Sequence, residues 1–193
     1  MAPTGGSNRC CCTGCGYERS MADAINYTAR ELLHDGRKVE IRALRQEDEA
    51  LMLAAIERTS AQSLQRRFFV MKRRFSEQER AFFMNVDFKN HVAIVALAED
   101  AGRKAIAGGG RYIVFDPGRA EMAFVVVDAW QGRGVGSILM RHLVKLASDA
   151  GLQELTADVL SENVPMRKVF EKVGFTPAAH QDPHITHLVL KLS

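Results

Sequence analysis

A chain of 193 residues is long enough for one domain and a tail. Apolar residues make up 47% and charged residues 25%, so a single core can hold the fold without disulfide or metal staples. Lysine and arginine number 26 against 23 acidic residues, and the resulting +3 is too slight to point to nucleic acid. No apolar run approaches the ~18 residues of a membrane span, and the first thirty residues hold no apolar stretch like the core of a secretion signal. The expected setting is therefore the cytoplasm, with neither membrane nor nucleic acid as a partner.

Residues 1–38 read as a disordered or extended tail, and the domain is expected over residues 39–193. All four cysteines lie in the tail, as Cys10, Cys11, Cys12 and Cys15, among small and polar residues. Such a stretch has too little apolar surface to offset the entropy of ordering it. Cys12 and Cys15 have C-x-x-C spacing, but a zinc site needs four ligands and no second pair follows, so no metal is expected. From Val39 to Leu44 the pattern has period two, a strand. Residues 47–58 read as a helix, and residues 60–70 as a second, with Leu64 and Phe68 four apart. Ser76-Glu77-Gln78-Glu79 is a capping box that opens a helix to about Asn85. Strands follow at 91–98, 105–115 and 120–127, joined by the turns Asp100-Ala101-Gly102 and Asp116-Pro117-Gly118; such short links predict an antiparallel meander.

The second half changes character. Residues 134–150 place Val135, Leu139, Leu143 and Leu146 on one helical face, and Gly151 sits where a helix ends. A strand at 155–160, a helix at 163–173 with Pro165 in its first turn, and a last hairpin of 175–178 with 185–192 complete the chain. The predicted class is α/β of the α+β type, a strand–helix–strand unit after a meander.

The strongest local feature joins the two halves. An apolar strand, Val125-Val126-Val127, runs through Asp128-Ala129-Trp130 into Gln131-Gly132-Arg133-Gly134-Val135-Gly136-Ser137, which opens the helix. A helix start carries unpaired N–H groups and partial positive charge, and glycines let an anion approach them. The reading is a phosphate cradle of main-chain donors. A nucleoside-triphosphate loop would need G-x-x-x-x-G-K-[ST], and there is no lysine here; a dinucleotide loop would need G-x-G-x-x-G, and the spacing is G-x-G-x-G.

Gln131-Gly132-Arg133-Gly134-Val135-Gly136 resembles the Q/R-x-x-G-x-G/A signature of the GNAT acetyltransferase superfamily. Asn163 follows at that family's usual distance, and the run from Asn163 to Gly174-Phe175 resembles its second coenzyme-contacting segment. Residues 41–49, 63–69 and 82–96 are similar to the acetyltransferase domain of bacterial protein lysine acetyltransferases. The resemblance implies the GNAT fold, a mixed, mostly antiparallel sheet flanked by helices, with acetyl-CoA lying between two splayed strands, here 120–127 and 155–160. It implies pantetheine pairing with the backbone of Val125, Val126 and Val127, and pyrophosphate on the amides from Gly132 to Ser137. Arg133 would add a charge-assisted contact, Asn163 would bond the pantetheine arm, and Phe170 would pack on the coenzyme. Phe170 stands where many members carry a tyrosine as general acid, so either a water or no dedicated acid is expected.

The implied reaction is acyl transfer to a primary amine, a protein lysine foremost, and it needs a base. Glu121 is the only carboxylate from Ala120 to Val127, and a carboxylate beside a buried strand should have a raised pKa. Two alternatives stand beside this reading: transfer to a small amine or amino acid, and a non-catalytic acyl-CoA-binding module. The chain is expected to be a monomer or homodimer. Trp130 is expected under the loop as packing, His91 as an ordinary half-buried histidine, and His180, His184 and His187 as separate groups rather than metal ligands. The basic run of Arg66, Arg67, Lys72, Arg73 and Arg74 is expected to be a solvated helix face.

Overall fold

The computed structural model describes residues 23–69, 75–179 and 181–192. Eight strands form one sheet: β1 (Thr28–Leu32), β2 (Lys38–Ala43), β3 (His91–Asp100), β4 (Arg103–Asp116), β5 (Arg119–Val126), β6 (Glu154–Leu160), β7 (Thr176–Ala178) and β8 (Ile185–Lys191). Among the described residues five complete α-helices accompany them: α1 (Glu49–Glu57), α2 (Ala61–Phe68), α3 (Glu77–Met84), α4 (Val135–Asp149) and α5 (Val164–Glu171). The spatial order is β1-β2-β3-β4-β5-β6-β8-β7. The meander over β3, β4 and β5 is antiparallel as its short turns predict. The Asp100-Ala101-Gly102 turn holds both Ala101 and Gly102 at positive φ, the geometry a tight hairpin needs.

β3 is buried on both faces from His91 to Ala98, because helices cover the sheet on both sides. On one side α4 sets Val135, Leu139 and Leu143 against Ala107, Met122 and Phe124. Gly110 makes that approach possible, since a Cβ there would stand 2.5 Å from the Phe124 ring and 2.8 Å from Leu143. On the other side Leu44, Met84, Ala93, Val95 and Ile106 form a second cluster, with Leu51 and Met52 of α1 packed on it. No helix among the described residues is long and apolar enough to cross a membrane.

The expected domain boundary at residue 39 is corrected for residues 23–38. β1 pairs with β2 over its whole length, and Ala24 and Leu33 are buried. Its Thr-Ala-Arg-Glu-Leu sequence has no apolar period of its own; long-range partners fix it. The Tyr27 hydroxyl bonds His142 Nδ1, and His142 Nε2 meets Glu31 Oε1 at 3.0 Å, so β1 is tied to α4 across the sheet. Residues 1–22, with the cysteine cluster, lie outside the described residues. The last hairpin forms as expected: β7 pairs antiparallel with β8, which lies between β6 and β7.

A buried ion pair fixes the start of α1. Arg42 bonds Asp48 through both guanidinium nitrogens at 2.7 and 2.6 Å, and the Arg45 amide adds a third donor at 2.9 Å. Burial alone would raise the Asp48 carboxyl, but the Arg42 fork and the Arg45 amide outweigh it and hold it below its ordinary value. Asp48→Ala should destabilise the domain by about 3 kcal/mol at neutral pH, since it strands Arg42 in the core. A depressed carboxylate pKa gives stability above the unfolded value of about 3.9 that is lost on acidification. The gap between wild type and variant in urea denaturation should therefore close as pH falls toward 3 and below. A gap that stays constant with pH would rule out this account of the pair.

Candidate active site

β5 and β6 run parallel and are bonded only over Arg119–Glu121 and Glu154–Thr156; beyond those three pairs they separate. Parallel neighbours that part in this way leave two strand edges with free backbone groups. The gap opens a cleft of about 310 Å³, walled by β5, the glycine loop, α2 and the start of α5. Val125, Val126, Gln131, Gly132, Gly134, Val135, Gly136, Ser137, Asn163 and Phe170 all line it, together with Glu121. Residues 131–137 and 163–170, distant in sequence, thus converge on one opening.

The loop turns on two positive-φ glycines, Gly132 at 71° and Gly134 at 98°. The backbone demands glycine at Gly134, where an added Cβ would also stand 2.9 Å from His34 Nε2 and push that exposed ring aside. The turn between β1 and β2 braces the loop from outside, with His34 N–H donating to the Arg133 carbonyl at 3.1 Å. Asp128 braces it from α2: it accepts from Ser63 Oγ at 2.6 Å and from the Ser60 amide at 2.5 Å. Burial would raise the Asp128 carboxyl, and these donors outweigh it. The Gln131 amide nitrogen donates to Ser63 Oγ and the Val126 carbonyl, both at 3.0 Å, so its side chain is a strut holding the strand end to the loop. The amides of Val135, Gly136 and Ser137, the first of α4, have no acceptor within a helix and face the cleft end of the axis.

Two buried donors belong to residues of the cleft wall. Trp130 Nε1 and Arg66 Nε are buried without an acceptor among the described residues, and both residues line the cleft. The open amides at the start of α4, at the mouth of this cleft, suit a phosphate-bearing ligand.

At the narrow end stands Glu121, in the last pair before the strands part. Alternation puts it on the face of Ala123 and Val125, away from buried Met122 and Phe124. Solvent reaches it through the cleft, but protein surrounds it closely enough that desolvation raises its carboxyl above the ordinary value. The negative charge of Asp158 adds to the rise, while Arg67 and His187 oppose it. Asp158 itself meets His187 Nδ1 at 2.6 Å.

Two expected contacts are corrected. Val127 is 2% exposed, its amide donates to the Ala107 carbonyl at 3.0 Å, and it does not line the cleft, because β5 has already turned into the loop. The Arg133 side chain points away from the cleft; it bonds the Ala129 carbonyl at 2.9 Å and Asp35 at 2.7 Å. Asn163 is the N-cap of α5, accepting from the Met166 amide at 3.4 Å. Phe170 is 2% exposed and packs edge-on to Phe124 and Phe175 at the cleft wall.

The model of the Acetyltransferase (GNAT) family matches residues 50–175. The chain belongs to that family. A relative, Acetyltransferase PA5475 of Pseudomonas aeruginosa, is 32% identical over 79% of this chain and 82% of its own length. Acetyltransferase Pat of Mycolicibacterium smegmatis is 35% identical over 60% of this chain, which spans only 34% of that protein. The solved GNAT domain of S. lividans PAT superposes with a TM-score of 0.79 at 30% identity, covering 86% of this chain and 97% of that one. A Salmonella typhimurium structure, yncA with its cofactor acetyl-CoA, shares the fold at a TM-score of 0.64 and 18% identity, covering 80% and 94%. This chain is thus a GNAT-family acetyltransferase.

Some residues around its cleft carry no readable sign in the sequence. His34 arrives from an expected tail, and Arg66 and Arg67 were expected to be solvated. The Ser60 cap and the Asp128 brace turn α2 so that both arginines face the cleft; Lys72, Arg73 and Arg74 lie outside the described residues. His180 lies outside them too, His187 is engaged by Asp158, and among the described residues no group of three potential ligands could hold a metal. His91 is buried and bonded to Arg111.

Proposed function

We propose that the chain transfers the acetyl group of acetyl-CoA to a primary amine, with Glu121 as the base and a protein lysine as the acceptor class. The position of Glu121 carries this reading: the one carboxylate of β5 sits where β5 and β6 part, beside a donor-rich cleft. The coenzyme's pyrophosphate rests on the amides of residues 132–137, with Arg66 in the same wall. Pantetheine runs along the open edge of β5 at Val125 and Val126, and Asn163 and Phe170 form the opposite wall.

Only a neutral amine attacks. A lysine with pKa ~10.4 lies about 3.4 units from its free base at pH 7, or roughly 4.6 kcal/mol. Glu121 takes that proton, directly or through a water, and frees the lone pair; once the nitrogen has bonded the thioester carbon, its second proton passes through water to the departing thiolate. The C–S bond then breaks, and the thiolate, with a thiol pKa of ~8.5, leaves with little help. Phe170 offers no proton, which this leaving group tolerates. The similarity of residues 41–49, 63–69 and 82–96 to protein lysine acetyltransferase domains, and the match to the S. lividans PAT domain, support lysine.

The test is calorimetry with acetyl-CoA, followed by free-thiol release against lysine-bearing proteins, polyamines and amino acids. Binding together with amine-dependent thiol release is expected. Binding without it would leave an acyl-CoA-binding module instead, and absence of binding would remove the cleft assignment altogether.

A further inference from the structure

A second, smaller cavity of about 90 Å³ adjoins the first on the Glu121 face of β5. Arg67, Ala123 and Val125 line both. Arg111 lines the small cavity too, paired across the sheet from Ala123, two residues from Glu121 on the same face. The cavity's other walls are largely apolar, including Leu64, Ile94 and Phe83. Two guanidinium groups therefore converge on an apolar pocket beside the base.

Neither cation is neutralised. Among the described residues no ion pair includes Arg67 or Arg111. Arg67 lies 4.8 Å over the Phe68 ring, and Arg111 lies 4.8 Å over the Phe83 ring. Arg111 Nη1 also stands 2.8 Å from His91 Nε2 and 3.4 Å from the Phe83 carbonyl, both uncharged partners. His91 stays neutral because burial, with Arg111 beside it, pushes it down to about 4. Burial lowers Arg67 to about 10 and Arg111 to about 9, and each still holds its charge at neutral pH. The carboxylate acting on Arg67 is Glu121, which the reaction needs as a base, and the charge acting on Arg111 is Arg67 itself. Paired buried cations without a counter-ion are unfavourable unless an anion arrives.

We infer that the acceptor carries a carboxylate as well as its amine, and that Arg67 and Arg111 hold that carboxylate while Glu121 faces the amine. The inference rests on the acetyl-transfer reading and names the acceptor's chemistry. Arg forks match a planar carboxylate, and negative charge from Glu121 and Asp158 draws the ammonium to the other end, so a zwitterionic segment is oriented with its nitrogen toward the thioester. That segment is either a free amino acid or a lysine flanked by an acidic residue in a protein.

The experiment measures thiol release with the twenty amino acids and their carboxamides, and with N-capped, C-amidated lysine tripeptides flanked by Glu or by Gln. The wild type should prefer the acid member of a pair by about 10- to 100-fold in kcat/KM; the amino-acid arm or the peptide arm that shows it identifies the source. Arg67→Gln and Arg111→Met should each draw that ratio toward one, and Arg67→Lys should restore part of it. Calorimetric acetyl-CoA binding reports whether each variant is folded, and the wild-type ratio decides even if Arg111→Met is not. Equal use of acid and neutral members, variants that lower both alike, or no turnover of any panel member by a chain that binds acetyl-CoA would each overturn the inference. If amines outside the panel still release thiol, the acetyltransferase reading survives that failure; if acetyl-CoA does not bind, both fall.

Discussion

Glu121→Gln should lower kcat by about 100- to 1000-fold, the range expected on removing a positioned base. The side chains have the same shape, and among the described residues Glu121 makes no ion pair, so acetyl-CoA affinity should stay near wild type. Stability supplies an independent check on direction. Desolvation raises the Glu121 carboxyl in the folded protein. The folded state therefore holds this proton more tightly than the unfolded state does. Its favourable contribution is present at low pH and is lost as pH rises through the folded value. At neutral pH the ionised Glu121 is a liability, and glutamine should leave Tm unchanged or higher. A variant that loses activity together with Tm would reveal a structural role. In the wild type, kcat/KM should climb with pH along a limb placed above the ordinary carboxylate range, and Arg67→Gln should move that limb higher still, because the Arg67 charge holds Glu121 down.

The parts of this fold legible in the sequence are those where local physics and tertiary structure agree. The capping box predicted at Ser76 forms, with the Ser76 hydroxyl accepting from the Glu79 amide and Glu79 accepting from the Ser76 amide. The glycine loop was legible because positive φ leaves glycine almost no substitute, and α4 because its buried face repeats at helical spacing. β1 was not legible, since its burial and register come from β2 and α4 rather than from its own polar residues. Arg66 and Arg67 misled for a related reason. A basic helix end is ordinarily solvated, and only the brace from Asp128, 61 residues beyond Arg67 in the chain, turns this one inward. Val127 and Arg133 failed in the other direction, because the Val127 amide is taken by the Ala107 carbonyl and the motif does not fix where the Arg133 side chain points. The site is thus half local, in its loop, and half a product of long-range packing, in its charged wall.

Gly134→Ala should weaken acetyl-CoA binding by about tenfold or more, with little loss of global stability. Gly134 sits at φ 98°, where an L side chain costs of order 1–3 kcal/mol. Its Cβ would also stand 2.9 Å from His34 Nε2. The loop can relieve both by shifting at the cleft surface against its backbone brace, the His34 amide on the Arg133 carbonyl. The shift turns the amides of residues 132–137 out of convergence, and a bound pyrophosphate must then pull them back, so the strain appears as lost affinity. Gly136 makes the contrast: it lies in α4, and its Cβ would meet only Val126 Cγ2 at 3.7 Å, an ordinary contact. Gly136→Ala should therefore weaken binding by less than about fivefold. Adding His34→Ala to Gly134→Ala removes the collision and leaves the backbone strain, so calorimetry on the double variant should recover part of the affinity and not all. Full recovery would assign the whole effect to His34, and no recovery would assign it to φ alone. Equal losses at Gly134 and Gly136 would mean that the loop does not grip the coenzyme through the geometry described.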